Sequence, residues 1–242
     1  MHQPFPVTAE PVGGWSPYLL GILERLEGHF GPRHWWPAVG VPAPAAAPAF
    51  EMIVGAILVQ NTAWTNTERA LLALRDAGLL EPARLYATPQ ATIEALIRPT
   101  GYYHQKARKL RDFLDHVFTH YAGDLGALLA RPLQELRLEL LNLRGIGPET
   151  GDCILCYAAH APVMPMDTYT RRIFARLGIL APDAAYDDMQ EFFHTYLPAA
   201  AERLGEYHAQ IDTLGHRLCL KARPACAGCP LQDTCPRLGV TA

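Results

Sequence analysis

The 242-residue chain has no apolar run long enough to cross a membrane, and it does not open on the short apolar core of a signal peptide. A cytoplasmic protein is therefore expected, one in which thiols stay reduced and disulfides do not form. No segment alternates apolar and polar residues convincingly as a strand, which argues against sandwiches and barrels, and there is no internal repeat. Positive charge is not in excess either. A net charge of −3 with an isoelectric point near 6.4 is a mark against a general nucleic-acid binder.

Helical periodicity is abundant, and a hydrophobic content of 50% supports a substantial core. Tyr18, Leu19, Ile22, Leu23 and Leu26 recur at helical spacing, and Phe50 to Val59 is apolar on most sides, as in a buried helix. Further helices are expected at Thr65–Ala77, Thr92–Ile97, His104–Tyr121, Leu125–Leu129 and Leu133–Leu141, with Gly101, Gly123 and Pro132 as breaks. Beyond them the pattern predicts Pro148–Ala159, Thr168–Leu177, Asp187–Tyr196 and Tyr207–Leu220. The fold class is all-α. The Ala- and Pro-rich stretch from Pro37 to Pro48 is expected to be a loop or linker.

Between two of these helices lies Leu143-Arg144-Gly145-Ile146-Gly147-Pro148-Glu149, followed one helix later by Met166-Asp167-Thr168. Gly145 and Gly147 permit a tight hairpin with outward amides, and Pro148 suits the first turn of the next helix. Such amides bind a phosphate without reading sequence. A bare Gly-x-Gly is weak by itself, because many nucleotide loops share it. Asp167 can be a lone reactive carboxylate, an N-cap, or both. Glu149 sits where an acidic side chain complements the helix dipole by ~0.3–1 kcal/mol.

The cysteines fall into two sets. Cys219-x6-Cys226-x2-Cys229-x5-Cys235 gathers four near the C-terminus. Zinc sites usually carry two separated Cys-x2-Cys pairs, whereas an iron–sulfur cluster accepts varied spacing, so the residues by themselves leave both open. Cys153 and Cys156, one turn apart in an apolar helix, read as buried packing thiols. Basic residues cluster at Lys106, Arg108, Lys109 and Arg111, at Arg171, Arg172 and Arg176, and at Arg217, Lys221 and Arg223. Most such clusters are solvated helix faces. Lys221 and Arg223 lie between the first two cysteines of the C-terminal set and are the better phosphate contacts.

From about Phe50 onward these motifs resemble the helix-hairpin-helix DNA glycosylases of the endonuclease III superfamily. The resemblance implies a six-helix domain at 48–162 with the hairpin at 143–149, and a second helical domain, 17–47 with 163–242, around a [4Fe-4S] cluster held by Cys219, Cys226, Cys229 and Cys235; residues 1–16 would be a tail. It implies double-stranded DNA with a damaged base as partner, a monomer, backbone contacts at Gly145, Gly147, Lys221 and Arg223, Gln60 filling the gap left by the extruded nucleotide, and Asp167 as catalyst. The hairpin and Asp167 would face each other across the DNA cleft. Members that also cut the strand carry a Lys where this chain has Glu149, and a carboxylate cannot form the Schiff base. Trp35-Trp36-Pro37 and Gln60-Asn61-Thr62 with Trp64 resemble the subset that removes 3-methyladenine, which makes Trp64 the expected stacking residue and Trp35 and Trp36 pocket walls. In one place the chain departs from the family: the His-Gly-basic run before the first cluster cysteine is here Leu214-Gly215-His216. The expected activity is monofunctional excision of alkylated purines. The alternatives are an endonuclease III-type glycosylase/lyase for oxidised pyrimidines and a silent damaged-DNA-binding protein.

Overall fold

The computed structural model describes residues 9–39 and 48–240, so most of the expected linker and the first half of the expected tail lie outside the described residues. Among the described residues no β-strand forms, and the all-α expectation holds. Two compact units emerge, Met1–Trp35 with Pro162–Ala242, and Trp36–Ala161. The first division falls between Trp35 and Trp36 rather than at 47/48. The reason is local: Val39 N donates to buried Glu51 (2.7 Å), Arg75 donates to Val39 O (2.7 Å), and Trp36 packs on Trp64.

The unit Trp36–Ala161 contains α2 (Ala49–Leu58), α3 (Trp64–Asp76), α4 (Pro82–Ala87), α5 (Gln90–Ile97), α6 (Tyr103–Tyr121), α7 (Leu125–Leu129), α8 (Leu133–Leu141) and α9 (Pro148–Cys153). Among the described residues that makes eight α-helices, several of them short, with a 3-10 turn at Arg98–Thr100. The sequence pattern places nothing at α4, a six-residue helix with Pro82 in its first turn and one buried apolar residue, Leu85, too little for a periodicity to show. α2 is buried from Phe50 to Leu58 and forms the centre of the unit. Its C-terminal carbonyl at Leu58 accepts from Lys106 Nζ (2.8 Å), which also donates to Thr100 O (2.8 Å). Lys106 is therefore no member of a solvated face: it is 2% exposed, and burial lowers its pKa to about 8. Arg111 likewise turns inward, onto the carbonyls of Tyr86 and Thr88.

The expected helix Pro148–Ala159 changes character midway, continuing from Ile154 to Ala158 as a single π-helical turn. Cys153 and Cys156 are buried there, and desolvation pushes the Cys156 thiol up to about 12, as befits packing thiols. Bidentate pairing of Arg137 with fully buried Asp152 (2.8 and 3.2 Å) fastens α8 to α9 on either side of the hairpin.

The other unit packs α1 (Trp15–Phe30), α10 (Thr168–Arg176), α11 (Tyr186–Tyr196) and α12 (Ala201–Arg217) around Leu19, Leu23, Leu26, Phe174, Phe193 and Tyr207. The Tyr207 hydroxyl donates to Leu19 O (3.0 Å), so its one polar atom is satisfied within the core. α12 starts at Ala201 and stops at Arg217, three residues short of the expected end. Leu218 leaves the helix, and its carbonyl instead accepts from Ala225 N (2.9 Å), closing the base of the cysteine loop.

Candidate functional site

The hairpin is built as its sequence dictates. Gly145 adopts φ +83°, a conformation that side chains other than hydrogen rarely tolerate, and Ile146 is buried as the anchor between two exposed glycines. A Cβ on Gly145 would also collide with the Lys109 stem lying across it. Gln60 Nε2 donates to Gly145 O (3.1 Å) and to Thr150 Oγ1 (2.9 Å), and Lys109 Nζ donates to Gln60 Oε1. Gln60, Lys109 and the hairpin are thus one hydrogen-bonded assembly. Burial lowers the Lys109 pKa. The sequence gives no sign that Lys109, rather than its basic neighbours on α6, reaches the hairpin. Glu149 is exposed in the first turn of α9.

Trp64 opens α3 half-buried, its ring edge-on to Trp36 at 5.4 Å. Trp36 itself is buried between Trp64 and Tyr157 and lies against Gly55, where an added Cβ would touch the indole at 3.0 Å. Trp35 belongs to the other unit and packs edge-on against His208 at 6.0 Å.

Asp167 ends an extended, buried segment that α11 holds by three polar side chains spaced one turn apart. Met166 N donates to Tyr186 Oη (3.2 Å), Gln190 Nε2 donates to Met164 O (3.0 Å), and Met164 N donates to His194 Nε2 (3.0 Å). The carboxylate divides its oxygens. Oδ1 caps α10, accepting from Thr170 N (2.6 Å) and Thr170 Oγ1 (2.8 Å), while Oδ2 faces His208 Nε2 at 3.7 Å. Only 8% of Asp167 and 4% of His208 are exposed. Burial lowers the His208 pKa, against the opposing pull of Asp167. Nothing in the sequence marks His208, because a lone His on an apolar helix face carries no pattern.

Cys219, Cys226, Cys229 and Cys235 line one small cavity together with Arg176. Buried Arg176 donates to Cys219 Sγ (3.1 Å), Leu220 O (2.8 Å) and Lys221 O (3.0 Å), and Arg172 donates to Cys219 O (2.9 Å). Burial and the neighbouring thiols raise the Cys229 and Cys235 pKa values. Among the described residues no group of three or more His, Cys, Asp or Glu is set to hold a single metal ion. Lys221 and Arg223 are exposed on the same loop. Gly215 of the departed Leu-Gly-His run lies under the Tyr169 ring, leaving no room for a side chain, and His216 Nε2 sits 2.9 Å from the Tyr169 hydroxyl.

Among the described residues the chain is helical, with a Gly-Ile-Gly hairpin at a helix start and a buried aspartate one helix further on, and comparison with known proteins places it among the DNA glycosylases of base excision repair. Residues 54–199 match the HhH-GPD superfamily of base excision DNA repair proteins, and the chain belongs to that family. It is 36% identical over 215 residues to a putative DNA repair glycosylase of Methanocaldococcus jannaschii, covering 88% of this chain and 94% of the relative. An endonuclease III of Sulfolobus acidocaldarius is 29% identical over 187 residues, covering 77% and 81%. Among solved structures, the Helicobacter pylori 3-methyladenine DNA glycosylase bound to 1,N6-ethenoadenine superposes with a TM-score of 0.67 at 26% identity, over 80% of this chain and 95% of that one. A non-covalent endonuclease III–DNA complex shares the fold with a TM-score of 0.73 at 22% identity, over 92% and 96%. No helix among the described residues is long and apolar enough to cross a membrane.

Proposed function

We propose that the protein is a monofunctional glycosylase that hydrolyses the base–sugar bond of cationic alkylated purines in duplex DNA. The observation that carries this reading is the division of labour at Asp167: one oxygen caps α10 and so orients the carboxylate, while the other makes no cap bond and faces His208 Nε2 at 3.7 Å. The amides at Gly145 and Gly147 hold the backbone, Gln60 fills the gap left by the extruded nucleotide, and Trp64 stacks on the base. An electron-rich ring attracts a cationic base by ~0.5–2 kcal/mol. When the bond breaks, the alkylpurine leaves as a neutral base with the bonding electrons, and Asp167 stabilises the positive sugar. Water then adds at the anomeric carbon and sheds a proton, giving an abasic site.

The donor set at the C-terminal loop fits a [4Fe-4S] cluster. Four thiols line one cavity, and Arg176 already directs an N–H to Cys219 Sγ, which suits the negative charge of thiolate ligands. A bound cluster would supply a rigid, charged anchor for the loop that carries Lys221 and Arg223, which are the proposed phosphate contacts. The purified protein should be yellow-brown with about four irons per chain. One zinc per chain and no iron, in material prepared anaerobically, would remove the cluster from this account.

Glu149 leads to a second expectation: base release without strand cleavage. Incubation with duplexes carrying methylated purines, thymine glycol or uracil should release the methylated purines fastest, and borohydride should trap no protein–DNA adduct. Trapping would overturn the monofunctional reading and point to Lys109, whose amine lies beside the hairpin with a lowered pKa, rather than to buried Lys106. An oxidised-pyrimidine enzyme is the second reading, favoured by the likeness to the Sulfolobus endonuclease III.

A further inference from the structure

We infer that His208 is a positioning residue of the excision reaction, an imidazole that leaves the Asp167 charge intact while neutral and cancels it when protonated. The inference rests on the assignment of Asp167 above. It starts from three side chains within one unit: Trp35 edge-on to the imidazole at 6.0 Å, His208 buried on α12, and Asp167 Oδ2 3.7 Å from Nε2. That separation is too long for a direct hydrogen bond and short enough for strong coupling between charges in a desolvated setting.

The charged side chains of α10 and α12 on either side of this pair are Arg171, Arg172, Glu206 and Asp212, and Arg171 places its Nε in the interior one turn after Asp167. Arg172 of α10 donates to the carbonyls of Gly215 and Cys219. Asp212, one turn along α12, lies beside His216, and Glu206 accepts from Arg33 N and Gln210. The Asp167 carboxylate faces the His208 ring from the start of α10, and Trp35 packs on that ring from the segment after α1.

A positive imidazole at this position would work against the reaction twice. It would offset the field that stabilises the developing sugar cation, and it would repel a base that is itself cationic. Burial disfavours the charged ring and lowers its pKa from the ordinary histidine value, so the neutral form prevails at neutral pH. As pH falls through that lowered value the ring gains its proton, and base release declines. Glutamine in its place keeps the polar edge and most of the volume but cannot titrate.

The test is a single-turnover pH–rate profile of base release between about pH 5 and 8 for the parent, His208→Gln and His208→Asn, on methylated duplex DNA or whichever panel duplex loses its base fastest. The parent rate should fall on the acid side. In His208→Gln that fall should move to lower pH. Superimposable acid limbs overturn the inference, and so does a uniform loss that keeps the parental shape, because that is what a packing role gives. His208→Asn is read in the same way if the Gln variant does not fold. Asp167→Asn, assayed alongside, separates the two levels: an active Asp167→Asn defeats the catalytic assignment itself, whereas an inactive one with unmoved His208 profiles defeats only this proposal.

Discussion

Asp167→Asn should lower single-turnover base release by about 10²–10⁴-fold while lesion-DNA affinity stays within a few-fold. The side chain has two duties, and the substitution separates them. Asparagine caps a helix about as well as aspartate, so the bond from Thr170 N to Oδ1 should persist and α10 should remain seated. What is lost is the charge. Asp167→Ala, by contrast, removes the cap as well and should cost a further ~1 kcal/mol of stability, about 2–4 °C in Tm for a protein of this size. Measuring base release and thermal melting on both variants gives a clear decision. Equal melting loss in both, or Asn activity near the parent, would mean that the carboxylate serves the helix alone.

Trp64→Ala should reduce alkylpurine removal by about 10–100-fold in kcat/KM with a small change in stability, consistent with stacking worth ~1–3 kcal/mol per base. Trp36→Ala provides the contrast. Trp36 is buried against Trp64, Tyr157 and Gly55, so its truncation opens a cavity and should cost ~3–5 kcal/mol of stability. A Trp64→Ala enzyme that loses stability as severely as Trp36→Ala, yet releases methylated purines normally once folded, would assign both rings to the core. The endonuclease III-type reading would then take precedence.

Much of the fold was legible in the chain because helices write a local periodicity. α7 and α8 fall within the expected bounds to the residue, and the hairpin sits where two glycines and a proline put it. Membership of the glycosylase superfamily was legible for the same reason: the hairpin, the aspartate and the four cysteines are short-range patterns. Local signals also set the limits of that reading. The cap formed by Asp167 was foreseeable from Asp before Thr-Tyr-Thr, but the carboxylate's second neighbour, His208, lies 41 positions away on another helix.

What tertiary structure decided is which of several chemically equivalent side chains does what. Sequence offers four basic residues on α6, and only packing sends Lys106 into the interior, Arg111 onto two carbonyls and Lys109 onto Gln60 beside the hairpin. It offers two adjacent tryptophans, and packing assigns Trp36 to one unit and Trp35 to the other, against His208. The physical reason is the same in each case. Helical spacing fixes the face on which a residue lies, whereas the partner it meets there depends on chain segments brought in from far along the sequence, and burial then sets the charge it can carry.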